Sequence, residues 1–125
     1  MDDEARAQQG AAIRREVLGN AHVDQALKAT TDFTAPFQDL ITRYAWGEIW
    51  SRPGLTRAER SIITLTALAI LRQEHELAMH TRAALANGLA PAQIQEVLLQ
   101  VAVYAGVPAA NRAFAIAAEV LENAT

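Results

Sequence analysis

The stretch Thr56–Gly88, TRAERSIITLTALAILRQEHELAMHTRAALANG, decides the fold class. Thr56 and Glu59 stand at capping-box spacing, so the threonine hydroxyl can accept from the Glu59 N–H while the glutamate reaches back to the Thr56 N–H. That pair predicts a helix opening at Thr56 and ending near Leu71. A second helix is predicted over Gln73–Asn87, with Gly88 placed to close it in the left-handed conformation. Next comes Pro91, in the first turn of a helix predicted over Pro91–Tyr104, where a missing N–H is harmless. Its residues Ile94, Val97, Leu98 and Val101 recur at i, i+3, i+4 and i+7, a single apolar stripe for burial. Gly106 breaks that helix, and Pro108 opens the last one, which runs to about Leu121.

Toward the N-terminus the same reading continues. Asp2–Val17 predicts a polar, exposed helix broken at Leu18-Gly19-Asn20, followed by a short helix over His22–Thr30. A longer one, Ala35–Trp50, carries Pro36 in its first turn and stops at Ser51-Arg52-Pro53-Gly54. No run alternates with period two, so strands are not expected. The fold class is all-α, and 125 residues fit one domain covering the whole chain. Alanine is abundant in the last four helices and allows close helix contacts. Phe33, Phe37, Tyr44, Ile49 and Trp50 lie outside the C-terminal core, which predicts further burial by self-association.

Composition excludes several function classes. Eleven basic and fourteen acidic residues are mixed along the chain, giving a net charge of -3 without any basic block. Nucleic-acid binding therefore has no electrostatic footprint, and an anionic substrate needs locally placed arginines. Cysteine is absent, which removes disulfides, thiol nucleophiles and thiolate metal sites. No segment approaches the roughly 18 apolar residues of a membrane span. The start, MDDEARAQQGAAIRREVLG, has no apolar signal core, so a cytoplasmic location is expected.

Three segments together resemble the γ-carboxymuconolactone decarboxylases. They are TDFTAPFQDLITRYAWGEIWSRPGL (Thr31–Leu55), RSIITLTALAILRQEHELAMHTRAALANGL (Arg60–Leu89) and EVLLQVAVYAGVPAANRAFAIAAEVL (Glu96–Leu121). RREVLGNAHVD, near the N-terminus, resembles the start of that family as well. The helix-plus-histidine segment is shared with the wider alkylhydroperoxidase D-like superfamily. WGEIWSRPGL and YAGVPAAN are more typical of the decarboxylase branch. The resemblance implies an alkylhydroperoxidase D-like helical bundle with a central antiparallel helix pair, and a homo-hexamer built as a trimer of dimers. In the redox branch two cysteines precede the histidine; here Gln73 and Glu76 occupy those places before His80. Without thiols a peroxidase relay is excluded.

The reaction implied by this resemblance removes one carboxylate from γ-carboxymuconolactone and yields 3-oxoadipate enol-lactone. The bond that breaks is conjugated through a double bond to the lactone carbonyl, so the substrate supplies its own electron sink. No cofactor is expected, and the chain carries no phosphate-binding or cofactor motif. The protein must then anchor the remaining carboxylate, for which a bidentate arginine is suited. It must also stabilise charge on the lactone oxygen and deliver a proton to the neighbouring carbon.

By spacing alone, Glu76 and His80 share a helical face, as many surface pairs do. The resemblance places His80 at the superfamily's active-site histidine, which makes it the proton or oxyanion donor, with Glu76 orienting it or sharing its proton. His75 and His80 are five apart and rotated by about 140°, so they cannot grip one metal ion. His75 is expected to face solvent, and His22 to serve as a cap or surface residue. Glu48, between Trp46 and Trp50, is either an exposed helix-face acid or a pocket acid with an altered pKa. The resemblance favours the pocket, with Trp46 against the substrate. Arg52 and Arg60 are the candidate carboxylate anchors, with Arg43 a weaker third. Tyr104 and Asn111 either donate hydrogen bonds to the substrate or cap and pack their helices. Two rival functions stand beside this one: a same-fold enzyme acting on another lactone or keto acid, and a non-catalytic helical ligand-binding assembly.

Overall fold

The computed structural model describes residues 2–124, and no strand occurs among them. The chain divides into two compact units, one running up to Leu55 and the other starting at Thr56.

In the first unit, α1 spans Asp3–Leu18, α2 Asn20–Lys28 and α3 Ala35–Ile41. Asp2 caps α1 by accepting from the Ala5 N–H at 2.7 Å, and Gly19, at φ 89°, turns the chain into α2. The single helix expected over Ala35–Trp50 changes winding partway. From Thr42 to Ile49 it is π-helical, with the Trp50 N–H donating five residues back to the Ala45 carbonyl at 2.9 Å. α1 packs along this π segment, burying Gly10, Ile13, Arg14 and Val17. The expectation of a merely exposed N-terminal helix is thus corrected on one face. Two glycines permit the approach. A Cβ on Gly10 would lie 2.0 Å from the Thr42 carbonyl oxygen, and one on Gly47 would lie 2.5 Å from the Arg6 carbonyl oxygen. Only a residue without a side chain fits either place.

The second unit holds α4 (Arg57–Ile70), α5 (Glu74–Ala86), α6 (Pro91–Ala105) and α7 (Val107–Asn123). Both halves of the Thr56 capping box are made: the Glu59 N–H reaches the threonine hydroxyl at 3.1 Å, and the Thr56 N–H reaches the glutamate at 2.8 Å. α4 ends in Arg72, which takes the left-handed conformation at φ 58° that a glycine usually supplies. Gly88 follows α5 at φ 102°, and Gly106 follows α6 at φ 93° and ψ 161°, an extended positive-φ conformation open to glycine.

α4 packs on α5, α6 and α7, and α7 also packs on α5 and α6. The shared core is built from Leu65, Leu77, Leu89, Ile94, Leu98 and Val101, with Ala84, Ala113 and Ala117 allowing close approach. Leu65, Ile94 and Leu98 are essentially without exposure, each burial contributing about 1.5–3 kcal/mol. Asn87 ties the end of α5 to the start of α4 through the Ser61 hydroxyl at 2.9 Å.

Candidate active site

In the first unit the π segment brings three of the expected residues together. Trp46 is buried at 6% exposure, and its ring lies 5.2 Å from that of Trp50, tilted by 34°. Such a tilted pair gains from the attraction of ring edge for ring face. Glu48 is exposed. Its carboxylate faces two guanidinium groups, Arg6 Nε at 3.4 Å and Arg52 Nη1 at 3.9 Å. Arg6 also reaches Asp3 at 3.0 Å. The result is a row of alternating charge, Asp3–Arg6–Glu48–Arg52, fixed at its centre by the Gly10 and Gly47 contacts. Ser51 steadies the following turn by donating to the Gly47 carbonyl at 2.7 Å. Arg52 has 63% of its side chain exposed. Arg43 is paired with Asp39 one turn earlier on the same helix.

Arg6 was not foreseen. Its partner Glu48 lies on a different helix, and no local spacing connects them. The Glu48–Arg52 half of the row is an i,i+4 pair and could be read from spacing alone.

In the second unit His80 sits on α5, half-buried, with its Nδ1 shielded from solvent. Neighbours on the same face are Leu77, Thr81 and Ala84, all buried, so packing fixes the backbone beneath the imidazole. Glu76 lies one turn earlier and is exposed, as is His75. The first turn of α5 is clamped to α7 by a two-pronged pair, Arg112 Nε to Glu74 Oε2 at 3.0 Å and Nη2 to Oε1 at 2.9 Å. These hydrogen bonds from Arg112 hold the Glu74 carboxyl below its ordinary range. Arg60 is half-buried on α4 with its Nε shielded from solvent, and Asn111 is exposed in the first turns of α7. His22 is half-buried in the first turn of α2.

Tyr104 stands apart from these. It is 77% exposed at the edge of a groove of about 590 Å³ between α4 and α6, whose walls include Ile62, Thr66, Ile70, Val97 and Val101. That volume is in the range of small-molecule sites. Glu96, Gln93 and Gln100 add polar groups to those of Thr66 and Tyr104, while His80, Glu76, Arg60 and Asn111 are not among its lining residues.

The family model described as the carboxymuconolactone decarboxylase family matches residues 35–119. The chain belongs to that family. Among curated relatives, a 4-carboxymuconolactone decarboxylase of Acinetobacter baylyi is 46% identical, with 98% of this chain and 92% of that protein aligned. A nitrosuccinic acid decarboxylase of Metarhizium robertsii is 40% identical over 92% of this chain and 80% of its own length. A short 4-carboxymuconolactone decarboxylase sequence of Pseudomonas putida is 48% identical over its full length, which covers 38% of this chain. The family match begins at α3 and takes in the π segment, α5 with His80, and most of α7. Every candidate residue named above for the reaction lies inside it.

Proposed function

We propose that this chain is a cofactor-independent carboxy-lyase that converts γ-carboxymuconolactone to 3-oxoadipate enol-lactone and carbon dioxide, in the protocatechuate branch of aromatic-acid breakdown. The observation that carries this reading is the nearly end-to-end match to the Acinetobacter enzyme, 46% identical over 98% of this chain. In the reaction the carbon–carbon bond to the departing carboxylate breaks. Its electron pair spreads through the double bond onto the lactone carbonyl oxygen, and a proton adds to the carbon beside that carbonyl.

Arg52 and Arg60 are each assigned as a candidate anchor for the retained carboxylate, since a guanidinium offers two parallel N–H donors to such a group. His80 supplies the proton, or hydrogen-bonds the developing oxyanion, with Glu76 orienting it. Glu48 has two possible tasks, proton transfer and holding Arg52. Its pairing with both Arg6 and Arg52 favours the second. Trp46, Tyr104 and Asn111 are assigned to substrate contact. Residues 1–125 act as one domain, a reading supported by a family match that runs across Leu55.

We further infer a cytoplasmic homo-hexamer, a trimer of dimers. Phe33 in the turn before α3, Phe37 and Leu40 on α3, and Tyr44 in the π segment after it are exposed by 93%, 59%, 51% and 61% and form an apolar stripe along the chain. α3 itself has no buried residue, so this stripe is a surface suited to a second copy. No described helix is long and apolar enough to cross a membrane. Light scattering on the eluting protein is expected to give six chains per particle; a monomer would overturn the assembly.

A second decarboxylase reading has its own support, the 40% identity to an enzyme named for nitrosuccinic acid. Carbon dioxide release from both acids, compared as kcat/KM, separates the two. Preference for γ-carboxymuconolactone is expected. Turnover of nitrosuccinate alone would overturn the substrate and keep the reaction class.

A further inference from the structure

Of the residues assigned to the reaction, only Tyr104 touches the groove between α4 and α6. The α4 wall is Ile62, Thr66 and Ile70, at i, i+4 and i+8, and the facing α6 wall includes Val97 and Val101. Ile62 and Ile70 are exposed, although burying such side chains is favourable. Glu96 is the one charged residue of the lining, and no cation pairs with it among the described residues. An apolar trench whose single charge is a carboxylate disfavours a small anionic acid. It suits an apolar helix face with a cation at its flank.

The first unit carries such a face. Phe37 and Leu40, three apart on α3, and Tyr44 in the π segment are all exposed, and α3 buries none of its residues. Arg43, next to Tyr44 and three residues beyond Leu40, is the cation at the flank. Its guanidinium pairs with Asp39, which leaves other N–H groups of the five for a second carboxylate. The lengths also agree: Phe37 to Tyr44 advances about 10 Å, and Ile62 to Ile70 about 12 Å.

We propose that Phe37, Leu40 and Tyr44 of one copy dock in the α4–α6 groove of a second copy, with Arg43 meeting Glu96. The contact rests on the self-association inferred above and names the two surfaces that make it. Stripe and groove are different surfaces and every chain presents both, so the contact closes as a reciprocal pair or as a ring.

Because the chain lacks cysteine, single introduced thiols test this without background. Two differently tagged forms are co-expressed, one carrying Leu40→Cys and the other Gln93→Cys or Gln100→Cys, lining positions on either side of Glu96. A short bismaleimide is expected to join the two forms covalently. Gln95→Cys, in the cleft between α6 and α7 instead, is expected to give no mixed product. Adding Phe37→Ser to the Leu40→Cys form should lower the mixed yield by about tenfold, as loss of a central aromatic anchor does. Glu96→Lys should lower it as well, and Arg43→Glu in the other form should restore it. Mixed product as abundant with Gln95→Cys, or unaffected by Phe37→Ser, would overturn the contact. A six-chain particle that gives no mixed product would overturn the contact and keep the hexamer. Mixed product from a particle of two or three chains would support the contact and overturn the hexamer, and a monomer would overturn both.

Discussion

Gly10→Ala gives the sharpest test of how the π segment is held. In the interior of a helix this substitution ordinarily stabilises by about 1 kcal/mol, because alanine is the better helix former. At Gly10 the new methyl would lie 2.0 Å from the Thr42 carbonyl oxygen and 2.8 Å from the Gly47 nitrogen. Both are backbone atoms and cannot rotate away, so α1 and the π segment must separate. Overpacking of this kind destabilises by about 1–3 kcal/mol when neighbours can adjust, and rigid backbone neighbours place it at the upper end. Against the propensity gain, a net loss of about 2 kcal/mol is expected. Urea unfolding should show a lower midpoint at unchanged slope, and Tm should fall by roughly 6–12 °C. Gly54→Ala is the control, since a Cβ there meets nothing within 4 Å. A Gly10→Ala protein as stable as wild type would refute the close-contact account of this unit.

Other outcomes follow from the same structure. His80→Ala is expected to lower kcat by about 10²-fold or more in a protein that still folds, as removal of a general acid does; unchanged kcat would remove His80 from the chemistry. Arg52→Lys keeps the charge but loses the fork, so KM should rise more than kcat falls, and an unchanged KM would count against Arg52 as an anchor. Leu65→Ala should destabilise by about 2–5 kcal/mol in urea unfolding, since Leu65 has no exposure in the α4–α7 core. The Glu59 carboxyl is held below its ordinary range, first by the Thr56 N–H and then by the Thr56 hydroxyl. Its stabilising effect is therefore complete above the unfolded-state pKa of about 4.3 and is lost as pH falls through the lower folded value. Glu59→Gln should flatten that part of the acid-unfolding curve, and an unchanged curve would show that the cap does not titrate with folding.

Most of the second unit was legible because its signals are local. Thr56 and Glu59 bond as their spacing implies, Gly88 takes a positive φ and Gly106 ends its helix, and Ile94, Leu98 and Val101 are buried as their periodicity requires. The first unit was less legible because its determinants are contacts between segments far apart in sequence. Nothing in TRYAWGEI marks the change to π winding, nor that α1 lies against it. Gly10 and Gly47 read as ordinary glycines until their close approach is seen. The polar sequence of α1 hid a buried face that includes Arg14. At the candidate site the same division holds: Glu48 and Arg52 are linked by helical spacing, whereas Arg6 enters only through packing.

The most direct measurement is release of carbon dioxide and appearance of the enol-lactone from γ-carboxymuconolactone, followed together after exhaustive treatment of the enzyme with a chelator. One carbon dioxide per enol-lactone, at a rate the chelator leaves unchanged, is the predicted result. Absence of turnover by the folded protein would contradict the assigned reaction. Turnover abolished by the chelator and restored by a metal ion would contradict the claim that substrate and side chains suffice.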